Sequence, residues 1–184
     1  MRVFSQKDFE DNRDELISRI TGGAVFIYPT DTIYGIGCSA LNSASVKRVR
    51  LLKERDEKPF SVMAPSVRWI EDNCETINNG WLDRLPGPYT LILRLKKKAV
   101  CREANNGMGT IGVRIPDHWF SRVAADTGLP IITTSVNISG KKPRASLEEL
   151  KQFDVDFIVY EGKKPGSPST LVDLTKKAVF VRKR

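Results

Sequence analysis

Apolar residues in this chain come in bursts of four to six, at residues 24–28, 60–64, 91–95, 110–115, 130–134, 157–160, 171–174 and 178–182. Bursts of that length, rich in β-branched and aromatic residues and closed by proline, glycine or polar clusters, predict strands buried in a sheet. Helical periodicity fills the gaps. Residues 7–21 place Phe9, Leu16, Ile17 and Ile20 on one face and stop at Gly22-Gly23. Residues 43–54 carry Val46, Val49 and Leu52 as the apolar stripe, with Lys47, Arg48 and Arg50 outside and Ser43 as the expected cap. Residues 117–127, closed by Gly128, and 146–153 complete the helices, and 96–109 reads as a loop between two strands. Strands and helices alternate early, and strands cluster late. That order predicts an α/β chain of mixed α+β type: one mixed sheet with helices packed against it, rather than a doubly wound parallel sheet. No repeat or linker divides residues 1–184, so a single domain is expected, with 162–168 as its mobile loop.

Charge narrows the partners. The formal net charge is +8 with a pI near 9.5, which favours an acidic ligand or serves only as a solubilising surface. No apolar run approaches the length of a membrane span and no signal-peptide pattern opens the chain, so no membrane partner is expected. Cys38, Cys74 and Cys101 lack metal-ligand spacing and are odd in number, which predicts reduced thiols in a cytoplasmic compartment.

Three segments concentrate polar chemistry at the ends of apolar runs. The first is Tyr28-Pro-Thr-Asp-Thr-Ile-Tyr-Gly-Ile-Gly37, where Thr30 and Thr32 flank Asp31. Its two hydroxyls suit a ligand loop, and its glycines allow close backbone approach; a locally satisfied turn uses the same residues. The second is Lys53-Glu-Arg-Asp-Glu-Lys58-Pro59, at the end of a helix. Its cations either complement the helix dipole or hold a polyphosphate, with arginine as a planar fork and lysine as a point charge. The third is Thr133-Thr-Ser-Val-Asn-Ile-Ser-Gly140. If it stays extended, Ser135 and Asn137 share one side; the alternative is a Ser/Asn turn.

Other chemistries find little footing. His118, the only histidine, lies at a helix entry with no nucleophile motif beside it, which favours capping or packing. CxxC, HExxH, GxGxxG and the phosphate-binding GxxxxGK[ST] loop are all absent, and no metal site is expected. The basic runs Arg94, Lys96, Lys97, Lys98, Arg102 and Lys176, Lys177, Arg182, Lys183, Arg184 are either solvated faces or an RNA contact.

The three segments, together with Pro86-Gly-Pro-Tyr-Thr90, Thr110-Ile-Gly-Val-Arg-Ile-Pro-Asp-His118 and Ser167-Pro-Ser-Thr-Leu-Val-Asp173, occur in an order that resembles the YrdC-like family, the threonylcarbamoyl-AMP synthases, over about residues 12–182. The resemblance implies a twisted mixed β-sheet flanked by helices with a basic concave face. It also implies a nucleotidyltransferase, an L-threonylcarbamoyladenylate synthase, that condenses L-threonine, bicarbonate and ATP into threonylcarbamoyl-AMP and pyrophosphate for tRNA threonylcarbamoyladenosine modification. Mg²⁺ would be held mainly by the ATP phosphates. Further partners would be tRNA or double-stranded RNA and a downstream threonylcarbamoyl-transfer complex.

Position by position, the resemblance makes Lys53 and Arg55 catalytic, and Arg55, Lys58, Thr110, Ser135, Asn137, Ser146 and Arg182 ATP-binding. It makes Thr32, Met63, Arg114, Ser135 and Ser169 threonine-binding, with Met63 where many members carry histidine. A thioether donates no hydrogen bond, so that exchange alters the expected threonine contacts. Two alternatives stay open: an RNA-binding module without turnover, and a carbamoyl-AMP-forming maturation domain. The latter usually belongs to longer multidomain proteins, and the length of this chain favours the threonine enzyme.

Overall fold

The computed structural model describes residues 1–55, 58–76 and 79–183. Asp56 and Glu57 of the basic segment and Arg184 of the tail lie outside them. The strands are β1 (Arg2–Phe4), β2 (Phe26–Tyr28), β3 (Gly35–Gly37), β4 (Ser61–Met63), β5 (Tyr89–Arg94), β6 (Thr110–Arg114), β7 (Ile131–Ser135), β8 (Phe157–Val159), β9 (Thr170–Asp173) and β10 (Phe180–Arg182). They form one sheet in the order β1-β8-β2-β3-β7-β4-β6-β5-β9-β10. Both β1 and β2 run parallel to β8, while β3 is antiparallel to β2 and β7, so the sheet is mixed as expected.

The helices are α1 (Gln6–Asp11), α2 (Arg13–Thr21), α3 (Ser43–Lys53), α4 (Val67–Asn73), α5 (Arg102–Asn105), α6 (Ser121–Thr127) and α7 (Leu147–Leu150). Strand alternation divides their cover. Ile27, Ile36, Val62, Ile132 and Ile158 point to one face, under Val46 and Val49 of α3, Ile70 of α4 and Leu150 of α7. Phe26, Tyr28, Met63, Ile131, Phe157 and Val159 point to the other, under Phe9, Leu16 and Ile20 of α1 and α2 and Val123 and Ala124 of α6. Every one of these side chains is fully buried.

Several expectations shift. The helix expected over 7–21 is two helices broken at Asn12 (φ −116°, ψ 24°), whose side-chain amide donates to Asp8 O at 2.7 Å. Asn competes with helical hydrogen bonds through such local bonds. The cap of α3 is Asn42 rather than Ser43: its Oδ1 accepts from Ser45 N at 3.0 Å. The helix expected from residue 117 begins at Ser121, because Ser121 Oγ donates to Pro116 O at 2.6 Å and holds the preceding turn. Residues 96–109 contain the short α5, and residues 162–168 are docked, Lys164 N donating to Ala145 O at 3.3 Å.

Candidate functional site

Beyond the helical cover, the second face carries a cavity of about 580 Å³, counted out to its open mouth. Register accounts for its floor. Ser61 pairs with Gly112 and Thr133, and Leu91 with Val113, so Ser61, Gly112, Thr133, Thr90 and Arg114 share one side of the sheet. Four of these, all but Gly112, line the cavity together with Thr30, Tyr34, Gly35, Arg55, Phe60, Thr134, Ser135, Pro168 and Ser169. A Cβ at Gly112 would lie 2.5 Å from Ser61 Oγ, so a larger residue there would displace that hydroxyl.

Arg114 is the charge at the floor. It is 5% exposed, forms an ion pair with Asp31, and reaches Thr32 Oγ1 at 3.4 Å. Its buried Nε has no hydrogen-bond partner among the described residues, and an orphaned buried donor on a charged group costs stability unless a ligand supplies the acceptor. Asp31 accepts in addition from Asp117 N at 3.2 Å, so this carboxylate is engaged in holding the guanidinium. Hydroxyls surround the opening. Thr30 Oγ1 lies 3.1 Å from Thr32 Oγ1, and buried Ser169 Oγ lies 2.7 Å from Thr90 Oγ1.

The strap over residues 160–169 closes one side. Tyr34 Oη donates to Gly162 O at 2.6 Å and accepts from Glu161 N at 3.0 Å, while its ring stacks on Tyr160. His118 Nε2 meets Glu161 Oε1 at 2.9 Å and its Nδ1 accepts from Phe120 N at 3.3 Å, so the lone histidine has the packing role expected of it.

The basic segment is arranged differently from a set of loop cations. Lys53 is 1% exposed and does not line the cavity. Its Nζ donates to Asn137 O at 2.8 Å and Asn137 Oδ1 at 2.9 Å, and also bonds Ser135 O. Ser135 Oγ donates to the same Asn137 Oδ1 at 2.6 Å, and Asn137 Nδ2 donates to Lys141 O at 2.6 Å. Burial, together with the neighbouring Arg55 charge, pushes the Lys53 pKa down to about 7. The ammonium therefore braces the Ser135–Asn137 loop from behind. Arg55 does line the cavity: it lies over the Phe60 ring at 5.1 Å and its Nη2 donates to Pro59 O at 2.6 Å. Lys58 is exposed.

Other expected site residues lie apart from the cavity wall. Thr110 opens β6, and exposed Arg182 sits on β10 at the sheet edge. Ser146 caps α7, its Oγ 3.2 Å from Glu149 Oε2. Met63 does not line the cavity either; it is fully buried in the second-face core beside Ile131 and Arg114, its sheet partners. The glycines of β3 also serve another end than ligand approach alone. The Tyr28 ring lies across both, and a Cβ would meet it at 3.1 Å from Gly35 and 2.7 Å from Gly37.

Residues 18–183 match the Sua5_yciO_yrdC family, described as "Telomere recombination". The chain belongs to the Sua5/YciO/YrdC family. A human relative named threonylcarbamoyl-AMP synthase is 33% identical over 177 residues, covering 89% of this chain and 63% of that protein. The chain therefore spans less than two thirds of that relative's length. A Haemophilus influenzae protein of the same name is 28% identical over 179 residues, covering 92% of this chain and 98% of its own. P. abyssi Sua5, solved in complex with L-threonine, superposes with a TM-score of 0.86 at 27% identity, covering 98% of this chain and 56% of that one.

Within this Sua5/YciO/YrdC fold, Ser61 lines the cavity from outside the motifs, while Thr90, Thr133 and Thr134 lie inside them without having been given an individual role. A signal for two of them was present. Ser61 and Thr133 are hydroxyls on the sheet side that the apolar Met63 and Ile131 share, and a polar residue at such a position marks a ligand face.

Proposed function

We propose that this chain is an L-threonylcarbamoyladenylate synthase, a nucleotidyltransferase that joins L-threonine, bicarbonate and ATP. The observation that carries the reading is the buried Arg114, with one unmet donor, at the floor of a hydroxyl-lined cavity. An amino-acid carboxylate supplies the missing acceptor, and the hydroxyls of Thr32 and Ser169 suit the ammonium and side-chain hydroxyl of threonine. P. abyssi Sua5, of the same fold, was solved with that amino acid.

The chemistry needs no protein nucleophile. Threonine's amine adds to bicarbonate with loss of water to give a carbamate; a carbamate oxygen then attacks the α-phosphorus, the α–β bridging P–O bond breaks, and pyrophosphate leaves with the electron pair. The protein's part is to hold two anions that repel each other and to stabilise charge as it moves to the leaving group. In this reading Arg55 and Ser135, which line the cavity, meet the phosphates together with Asn137, and Lys53 braces the latter two. Lys58, Thr110 and Arg182 extend the nucleotide side toward the sheet edge. Among the described residues no group of three or more His, Cys, Asp or Glu is arranged to hold a metal ion. Asp31, the acidic residue beside the floor, is engaged by Arg114. In this reading Mg²⁺ enters as MgATP, carried on the phosphates. The product would pass to a threonylcarbamoyl-transfer complex acting on tRNA, and the basic surface gives tRNA a place to approach; a cytoplasmic location fits these partners. No helix among the described residues is long and apolar enough to cross a membrane.

The test is mass spectrometry of the protein incubated with MgATP, L-threonine and bicarbonate. A threonylcarbamoyl-AMP mass that requires both co-substrates is expected; AMP and pyrophosphate release indifferent to threonine and bicarbonate would overturn the proposal.

A further inference from the structure

The β5–β6 pair contains a second, unassigned enclosure. These strands are antiparallel neighbours, and such hairpins are ordinarily closed by about two to five residues. Here β5 ends at Arg94 and β6 begins at Thr110, and the long connection between them is built into the fold. Cys101 N donates to Ala40 O at 2.9 Å, Lys96 N to Asn73 O at 2.9 Å and Leu95 N to Gly109 O at 2.9 Å. Arg50 clamps Glu103 O from Nε and Nη2 at 2.9 and 2.7 Å. A connection held this firmly nevertheless leaves a cavity of about 1160 Å³, counted to its open mouth, roughly twice that of the site described above.

The lining is of two kinds. Leu95, Val100 and Met108 make an apolar floor, with Met108 48% exposed. Lys96, Lys97, Lys98 and Arg102 make a cationic rim, and among the described residues no acidic one lines the cavity. Lys96 Nζ donates to Glu71 O at 2.7 Å, and Lys97, Lys98 and Arg102 stand exposed around the floor beside it. Charge complementarity selects an anionic occupant. The absence of any aromatic side chain in the lining argues against single-stranded nucleic acid, whose bases stack on aromatic platforms. An aliphatic and thioether floor instead suits an aliphatic side chain, since methionine adapts to varied apolar shapes.

We propose that this cavity docks an acidic segment of a partner protein, with one aliphatic side chain seated on Leu95, Val100 and Met108 and flanking carboxylates on Lys97, Lys98 and Arg102. The inference stands apart from the proposed reaction, because it concerns a surface outside the Arg114 cavity and is tested by binding alone. The probe is a fluorescein-labelled peptide, Asp-Glu-Glu-Leu-Glu-Glu-Asp, followed by anisotropy against the full chain. The comparators are the same peptide with glycine for leucine and an octauridylate RNA. Lys97→Glu combined with Lys98→Glu should weaken the leucine peptide about tenfold or more, and Met108→Ser about threefold. Both changes fall at exposed positions, and circular dichroism confirms that the fold is kept. The glycine peptide should bind several-fold more weakly, and higher salt should weaken both. No peptide binding at millimolar concentration, indifference to the substitutions, or equal binding of the glycine peptide would each overturn the proposal. Tighter binding of octauridylate that displaces the peptide would assign the cavity to nucleic acid instead.

Discussion

Lys53 has three hydrogens and three acceptors waiting for them: Ser135 O, Asn137 O and Asn137 Oδ1. With its pKa pushed down to about 7, the sign of the pH effect is fixed. Below that value the ammonium fills all three acceptors; as pH rises through it, the neutral amine keeps two donors and one acceptor is abandoned. The KM for ATP is expected to rise on the alkaline side of about pH 7 in the parent chain and to be flat over the same range in Lys53→Met. Trypsin gives a readout independent of turnover, because Lys141 and Arg144 flank the braced loop and should be cut faster in the variant; unchanged cutting would remove the bracing role. Arg114→Lys keeps the charge but loses the planar fork, so the KM for threonine should rise about tenfold or more while that for ATP stays within about twofold. Met63→His carries a different expectation from the one its sequence position suggests. The imidazole would enter a fully buried apolar setting, so a loss of about 1–3 kcal/mol in urea unfolding is expected. Retained stability with a selectively altered threonine KM would instead place residue 63 in contact with the amino acid.

At the scale of elements, β3 was the hardest to read and is among the most constrained. Gly35, Ile36 and Gly37 have poor strand propensity and follow a segment that reads as a turn, yet they pair with both β2 and β7. What holds them is the Tyr28 ring of the paired strand β2, lying across both glycines. Gly37→Ala would press a methyl to 2.7 Å from that ring and 3.0 Å from Ile132 O. An expected loss of about 1–3 kcal/mol, read as a fall in thermal midpoint, tests it. The runs that gave β2, β4, β5, β6, β7 and β8 were legible because each has buried apolar residues in a short burst. The three-residue β1 and the short α4 and α5 were not, since each presents only one or two buried residues to mark a period. Within the site, Arg55, Arg114, Ser135 and Ser169 were legible as motif residues and line the cavity. The depth of Lys53 was not, because a lysine at a helix end looks alike whether its ammonium meets water or the carbonyls of a loop 82 residues away.

For the whole molecule, the consequence of ten strands in one sheet is that its two ends differ in security. The β1–β8–β2 end lies beneath α1, α2 and α6, whereas β10 pairs, among the described residues, with β9 alone, and Phe180 and Val181 on it and Val179 just before it are exposed. Amide hydrogens of β10 should therefore exchange with deuterium long before those of β2 or β7, whose release requires opening the core. Arg182 rides on the fast-exchanging strand, while Arg114 sits on β6, between β4 and β5. A ligand gripping both would meet a rigid anchor at one end and a fraying ribbon at the other. Its second half would bind by stilling that ribbon, so slowed exchange in β10 should report nucleotide occupancy while amino acid alone leaves it unchanged.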